Sequence, residues 1–229
     1  MNLCLKFFVL LFTCICDQSV CTSQILYDNT YVNTNHWVVE QQPNGHVFFN
    51  KNKLEIIDAK GCTVWFKHKL KAPIMIEYDA TVIDKKGPFD RVSDLNCFWM
   101  ANDPYLPNDF FKNSENRKGL FENYHNLQLY YVGYGGHNNT KTRFRKYNGN
   151  INRPLRKEHD LSAKKYMIVP NKKTHITLTV RHNYVSYQRD GEIIFELHDK
   201  SPYLSGYFGF RTVNSHLLIE NFNIKKNEN

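Results

Sequence analysis

Between Glu122 and Tyr147 the chain reads ENYHNLQLYYVGYGGHNNTKTRFRKY, which crowds His, Tyr, Asn, Gly and Arg into one short span. A strand pair needs apolar residues on one face and imposes little on the other, so this variety of hydrogen-bonding groups points to a ligand. Alternation puts Leu127, Leu129, Tyr131 and Gly133 on one side and Gln128, Tyr130, Val132 and Tyr134 on the other. The following run, TKTRFRKY, sends Lys141, Arg143, Arg145 and Tyr147 to a common face. If the two runs pair, GYGGHNN is their connection, where glycine permits close backbone approach to a ligand. The expected product is a groove walled by tyrosine and floored by arginine. Such a surface suits sugars, whose C–H faces stack on aromatic rings while their carboxylates accept paired Arg hydrogen bonds.

The chemistry these residues point to is metal-independent β-elimination beside a uronate. That reaction needs a cation or amide on the carboxylate, a base for the adjacent proton and an acid for the leaving oxygen. Arg143 with Asn138 is the candidate for the first task, His125 for the second and Tyr130 for the third. Tyr124, Tyr134, His137 and Arg145 are candidate substrate contacts, joined by Arg91, Asp94 and Asn96 from DRVSDLNCFWMANDP. In that second cluster Asp94, Asn96 and Phe98 share one strand face, and Leu95, Cys97 and Trp99 share the other. The competing explanation there is a core-facing Trp beside turn-capping Asp and Asn. Hydrolysis by paired carboxylates is the rival reaction, with Glu77 and Asp79, or Asp94 and Glu122, as the pair. A non-catalytic sugar-binding module and a structural domain of a surface complex are the readings outside catalysis. No GxSxG elbow, P-loop, GxGxxG or HExxH is present, and the proposed elimination calls for no metal and no cofactor.

The elements that must position these residues are strands. From Val47 onward short alternating runs are separated by turn residues, and long helical periodicity is almost absent. Ile74, Ile76, Tyr78, Ala80 and Val82 fall on one face, as do Ile176, Leu178 and Val180. Asp190-Gly191 between two strand-like runs predicts a type I′ hairpin. The fold class is therefore all-β, a two-sheet antiparallel β-sandwich of the jelly-roll kind, forming one domain over residues 22–229. The segment NDPYLPNDFFKNSENRKGLFENYHN interrupts the pattern and is expected to be a long functional loop holding a helical turn.

Residues 1–21 have the form of a signal peptide: Lys6, an apolar run from Phe7 to Cys16 too short to span a bilayer, then polar residues. The expected location is outside the cytoplasm: periplasmic, secreted, or an outer-membrane lipoprotein anchored through Cys21, although Val20 departs from the usual small residue before a lipidated Cys. Cys62 and Cys97 then remain, either as one disulfide or as two buried thiols. The formal net charge of +8 favours anionic partners. Without a basic arm or a recognition motif, nucleic acid is not expected, and the partner is an acidic glycan.

The order of features resembles a family of exported Bacteroidetes domains of unassigned function. It is carried by ILYDNTYVNTNHWVVE, TVWFKHKL, IEYDATVI, DLNCFWMANDP, YHNLQLYYVGYGGHNNT, the YQRDGEIIFEL hairpin and the closing GYFGFRTVNSHLLIENFNI. These domains are similar to concanavalin A-like jelly rolls, including the keto-glycoside hydrolase group, whose chains also end in a GxxGFR-like turn and a final strand. The resemblance covers nearly the whole chain after the leader and implies work in polysaccharide degradation. It brings no catalytic residues with it.

Overall fold

The computed structural model describes residues 24–28 and 33–227; the expected leader and Cys21 lie outside them. Two antiparallel sheets stack face to face. The first has the order β13 (Glu192–His198), β12 (Tyr184–Arg189), β11 (Thr174–Val180), β6 (Ile74–Val82), β15 (His216–Lys226), β4 (Lys53–Ile57) and β3 (His46–Asn50), with β1 (Ile25–Asp28) also pairing β15. The second runs β10 (Asp160–Leu161), β9 (Lys141–Asn148), β8 (Gln128–Gly135), β7 (Asn96–Asn102), β14 (Ser205–Thr212), β5 (Cys62–Lys71) and β2 (Trp37–Gln41).

The sequence patterns explain the layers. On β6 the residues Ile74, Ile76, Tyr78, Ala80 and Val82 are buried, and on β11 Ile176, Leu178 and Val180 are, because a period of two sends every second side chain into the space between the sheets. Facing them from the second sheet are Val64, Cys97, Trp99, Tyr130, Phe144 and Phe208. The hairpin from β12 to β13 turns at Asp190 and Gly191, with φ of 51° and 83°, the left-handed pair a type I′ turn requires. Cys62 and Cys97 lie on β5 and β7 with β14 between them, and both are free. Burial pushes the Cys97 thiol up to about 12, so it is an inert core residue. Among the described residues no helix is long and apolar enough to cross a membrane.

A second apolar layer lies on the outer face of the second sheet. Trp65, Phe98, Leu129, Tyr131 and Tyr147 point away from the sandwich interior yet are buried. The segment from Asp103 to Leu127 covers them, carrying single helical turns at Phe110–Asn113, Ser114–Arg117 (α1) and Phe121–Tyr124. Phe110 meets Trp65 edge-on at 4.9 Å, and Tyr124 stacks on Phe98 at 5.5 Å. The anticipated loop is thus a packed lid with several turns.

A buried ion pair fastens this lid. Arg117 of α1 donates from Nε to both oxygens of Glu40 on β2, at 3.0 and 3.1 Å, and from Nη2 to Oε1 at 2.7 Å. The Tyr124 hydroxyl donates to Glu40 Oε2 at 2.6 Å, and Arg117 Nη2 also reaches the Phe110 carbonyl. Both charged groups are almost fully buried, so each has surrendered its water and depends on the other. Glu40→Ala would leave Arg117 with only the more distant Asp103 carboxylate, at 3.9 Å, and is expected to cost about 3–5 kcal/mol. Amide hydrogen exchange should show that loss concentrated at residues 103–127; equal protection in the variant would mean that the aromatic contacts alone hold the lid.

Candidate functional site

The site is built by the pairing of β8 and β9. Their register sets Leu129 opposite Tyr147, Tyr131 opposite Arg145 and Gly133 opposite Arg143, all on the outer face. The connection turns through His137, Asn138 and Asn139, with φ of 53°, 56° and 58°. Three consecutive non-glycine residues in the left-handed region carry strain of roughly 1–2 kcal/mol each, least for Asn. Side chains hold the turn against that strain. Asn139 accepts from the Ile168 amide at 2.8 Å and donates to its carbonyl at 2.9 Å, as a neighbouring strand would. Asn138 accepts from Arg91 Nη1 at 2.6 Å, and the Thr140 hydroxyl donates to the His137 carbonyl at 2.7 Å. Gly135 precedes the turn at φ 66°, and a Cβ there would lie 2.3 Å from Ile168 Cδ1.

Beside this turn lies a hollow of about 200 Å3. Tyr131, Gly133 and Phe121 form its apolar surface, while Lys141, Arg143, Arg145 and Arg153 supply cations and Asp94 the sole carboxylate among its lining residues. Gly133 is required because the Tyr131 ring lies over it, its hydroxyl 2.6 Å from where a Cβ would be. Burial, then the neighbouring Tyr147 and Asp94, raise the Tyr131 phenol well above its usual value. It is therefore protonated at neutral pH.

The cations are not equivalent. Arg143 donates from Nε to Asp160 Oδ1 at 2.9 Å and from Nη2 to Oδ2 at 3.2 Å, and its Nη1 donates to His137 Nε2 at 2.6 Å. Its donors are largely committed. Arg145 is partly buried and donates only to the Arg153 carbonyl; Arg153 is exposed, its guanidinium 5.6 Å from the Phe121 ring centroid. Neither has a carboxylate partner among the described residues. Burial lowers Arg145 from the usual guanidinium value, and the charges of Arg153 and Arg143 add to that effect against an opposing contribution from Tyr147. An incoming anion would relieve this concentration of positive charge.

Several expected site residues lie elsewhere. Tyr130, the expected acid, faces the sandwich interior and donates to Asp199 Oδ2 at 2.6 Å; it shares the parity of Val132, not of Gly133. Tyr134 is likewise on the inner side, against Ile168, with its hydroxyl directed to the Met167 carbonyl. Tyr124 is consumed by the lid clamp at Glu40. His125, the expected base, lies over the same outer face as Arg143 but outside the hollow. It is packed edge-on against Phe121 at 5.1 Å and near Tyr147 at 6.3 Å, and burial followed by the Arg153 charge lowers its pKa. Asn138 is spent on Arg91 rather than on a substrate. Arg91 also donates to Asp94 at 2.5 Å, and Asp94 accepts from Ser93 at 2.7 Å and from the buried Asn96 at 3.2 Å. Arg91 and Asn96 are thus supports beneath Asp94.

His137, Arg143, Arg145 and Asp94 line the hollow as expected of neighbours, and the sequence reading missed Tyr131, Phe121, Lys141 and Arg153 as contacts. Tyr131 was detectable, since it alternates in step with Gly133. Neither of the two carboxylate pairs lies together at the hollow. Glu122 is exposed and is not among the lining residues. Glu77 and Asp79 occupy the outer face of the first sheet, where Lys225 and Asn221 bind them and His175 contacts Asp79 at 2.7 Å.

The comparisons accord with this architecture. Residues 56–222 match the family described as Domain of unknown function (DUF6250). The chain belongs to that family. No curated protein sequence matches it. Among solved structures, it is similar to a Bacillus subtilis protein of unknown function with a galectin-like fold, at 18% identity and TM-score 0.67, over 89% of this chain and 96% of that one. A Bacillus subtilis carbohydrate-binding module of the CBM66 group aligns at 14% identity and TM-score 0.55, over 83% and 96%. A Bacillus licheniformis β-glucanase aligns at 11% and 0.57, over 90% and 100%. At these identities the likeness establishes the jelly-roll fold.

Two outcomes test the local construction. Gly135→Ala combines positive φ with a steric clash and should cost roughly 1–3 kcal/mol, read from the denaturant midpoint. The Asp160 carboxyl is held below the usual carboxylate range, chiefly by the hydrogen bonds from Arg143. A depressed carboxylate stabilises the fold above its unfolded pKa of about 4 and loses that contribution as pH falls through the folded value. Asp160→Asn should therefore flatten the decline in stability on acidification from about pH 5 to pH 2; an unchanged slope would show that the pair contributes nothing.

Proposed function

We propose that the protein is carbohydrate-active and that the hollow receives the carboxylate-bearing residue of an acidic saccharide. The observation that carries this is the pair Arg145 and Arg153, without carboxylate partners, beside the rings of Tyr131 and Phe121. Guanidinium groups match a carboxylate in geometry and charge, and the rings offer apolar surface to the C–H face of a sugar. Similarity in fold to a carbohydrate-binding module and to a β-glucanase supports the saccharide class.

The reaction class we infer is β-elimination. Arg145 and Arg153 neutralise the uronate carboxylate and acidify the adjacent C–H. His137 takes that proton, the C–O bond to the leaving sugar breaks as the double bond forms, and the Tyr131 phenol protonates the departing oxygen. For His137 to act, Arg143 must release Nε2, a rearrangement within reach of an exposed turn. Hydrolysis by two carboxylates is disfavoured because Asp94 is the single carboxylate lining the hollow and is held by Arg91, Ser93 and Asn96. Those satisfied hydrogen bonds also favour the second reading, in which the hollow only binds.

Incubation with a panel of uronate polymers discriminates the readings. Elimination yields a product absorbing near the ultraviolet edge, hydrolysis yields reducing ends without it, and a binding module yields heat in calorimetry but no product. Arg145→Gln should weaken binding by about 1.5–3 kcal/mol, the value of a hydrogen bond to a charged group. Equal affinity of this variant for every acidic glycan would remove the hollow from the function.

A further inference from the structure

A second hollow, of about 300 Å3, adjoins the first and shares Arg145 with it. It opens where the edge strand stops: β10 pairs only with Thr142 and Arg143, leaving β9 uncovered from Phe144 onward. Its floor is Phe144 and Leu197, and Tyr203 forms part of its wall. The Tyr203 ring is fixed at both ends. Its hydroxyl donates to the Tyr147 carbonyl at 2.9 Å, and its amide donates to the Tyr130 hydroxyl at 3.0 Å. Tyr130 in turn donates to Asp199, which also accepts from Lys146 at 2.7 Å. Burial alone would raise Asp199, but the hydrogen bonds from Lys146 and Tyr130 hold it below the usual carboxylate range. The Lys146 ammonium lies 4.6 Å from the Tyr203 ring centroid, and the exposed Arg156 stands at the rim.

Resting on the function proposed above, we propose that this second hollow is a subsite for the neighbouring residue of the same acidic saccharide, with Arg145 bridging the two sugars and the Tyr203 ring, capped by the Lys146 ammonium, as the platform for the second. The first hollow is too small for more than one sugar unit, lying below the roughly 300–1,000 Å3 typical of whole-ligand pockets. On the lid side Phe121 closes it, because the clamp at Glu40 holds residues 103–127 over that part of the sheet. Arg145, common to both hollows, marks a path from the first to the second. The site accordingly takes the end of an acidic chain, with the terminal residue in the first hollow and the next against Tyr203. Tyr130 positions that platform from inside the sandwich without touching sugar.

The test is calorimetric, with free glucuronate, galacturonate and mannuronate and their homotrimers as probes of the intact chain. A trimer should bind more tightly than its monomer, and Tyr203→Ala should reduce the trimer-to-monomer affinity ratio about fivefold or more, roughly one hydrogen-bond or stacking contact on the affinity scale. Arg156→Ala, at an exposed position whose loss leaves the core intact, should reduce the same ratio and decides the matter if the Tyr203 variant unfolds. Equal affinity for monomer and trimer, or a ratio unchanged in Arg156→Ala and in folded Tyr203→Ala, overturns the subsite while leaving the first hollow's function standing. Absence of binding to every probe overturns both. On a long polymer the number of molecules bound per chain should not grow with chain length; growth in proportion to length overturns the end-on arrangement.

Discussion

Residues opposite one another in an antiparallel pair share a face, so the register that sets Gly133 against Arg143 and Tyr131 against Arg145 decides what the outer surface presents. A slip of one residue would turn Tyr131 into the sandwich and bring Tyr130 and Val132 out, exchanging the inner and outer sets of β8. The left-handed turn at His137 to Asn139 fixes this register, and its strain is offset by Asn139 bonding both backbone groups of Ile168. Local strain is thus accepted at the point where it orders the surface around the hollow.

The second determinant is the lid. An outer sheet face bearing Trp65, Phe98 and Tyr131 would be an aggregation hazard if left open, and residues 103–127 convert it into a second apolar core. A buried Arg–Glu pair is a costly way to fasten a segment, since each ion loses its hydration and the net gain is small. What the pair supplies is position. Arg117 can satisfy Glu40 only in one placement of α1, and that placement sets Phe121 at the hollow's edge. Phe121 thereby borders the hollow on the lid side.

The fold was legible because it rests on period-two alternation, which is local: β6, β11 and the Asp190-Gly191 turn were all identifiable from neighbouring residues. The site was legible as a neighbourhood, since His137, Arg143 and Arg145 lie near the turn that joins β8 to β9. The assignment of tyrosines failed for a different reason. Tyr124, Tyr130 and Tyr134 each find a hydrogen-bond partner distant in the chain, at Glu40, Asp199 and the Met167 carbonyl. No sequence pattern shows that a phenol is satisfied by a carboxylate many residues away. Phe121 and Arg153 were missed because loops carry them to the hollow, and loops have no periodicity to follow.

The arginines themselves separate structure from function. Arg117 is matched to Glu40, Arg91 to Asp94 and Arg143 to Asp160, and each pairing fastens one segment to another. Arg145 breaks this pattern: it is partly buried, is held only through a backbone carbonyl, lies near the like charges of Arg143 and Arg153, and forms a wall of both hollows. A side chain kept there for stability would be better replaced by an apolar residue or supplied with a carboxylate, because desolvating an unpaired cation is unfavourable. In the function proposed above, its placement becomes favourable once an anion is present, and the shared wall would let one guanidinium address two consecutive sugar residues. On that proposal the cost of desolvating Arg145 would be recovered on binding, the energetic form expected of a recognition residue rather than a structural one.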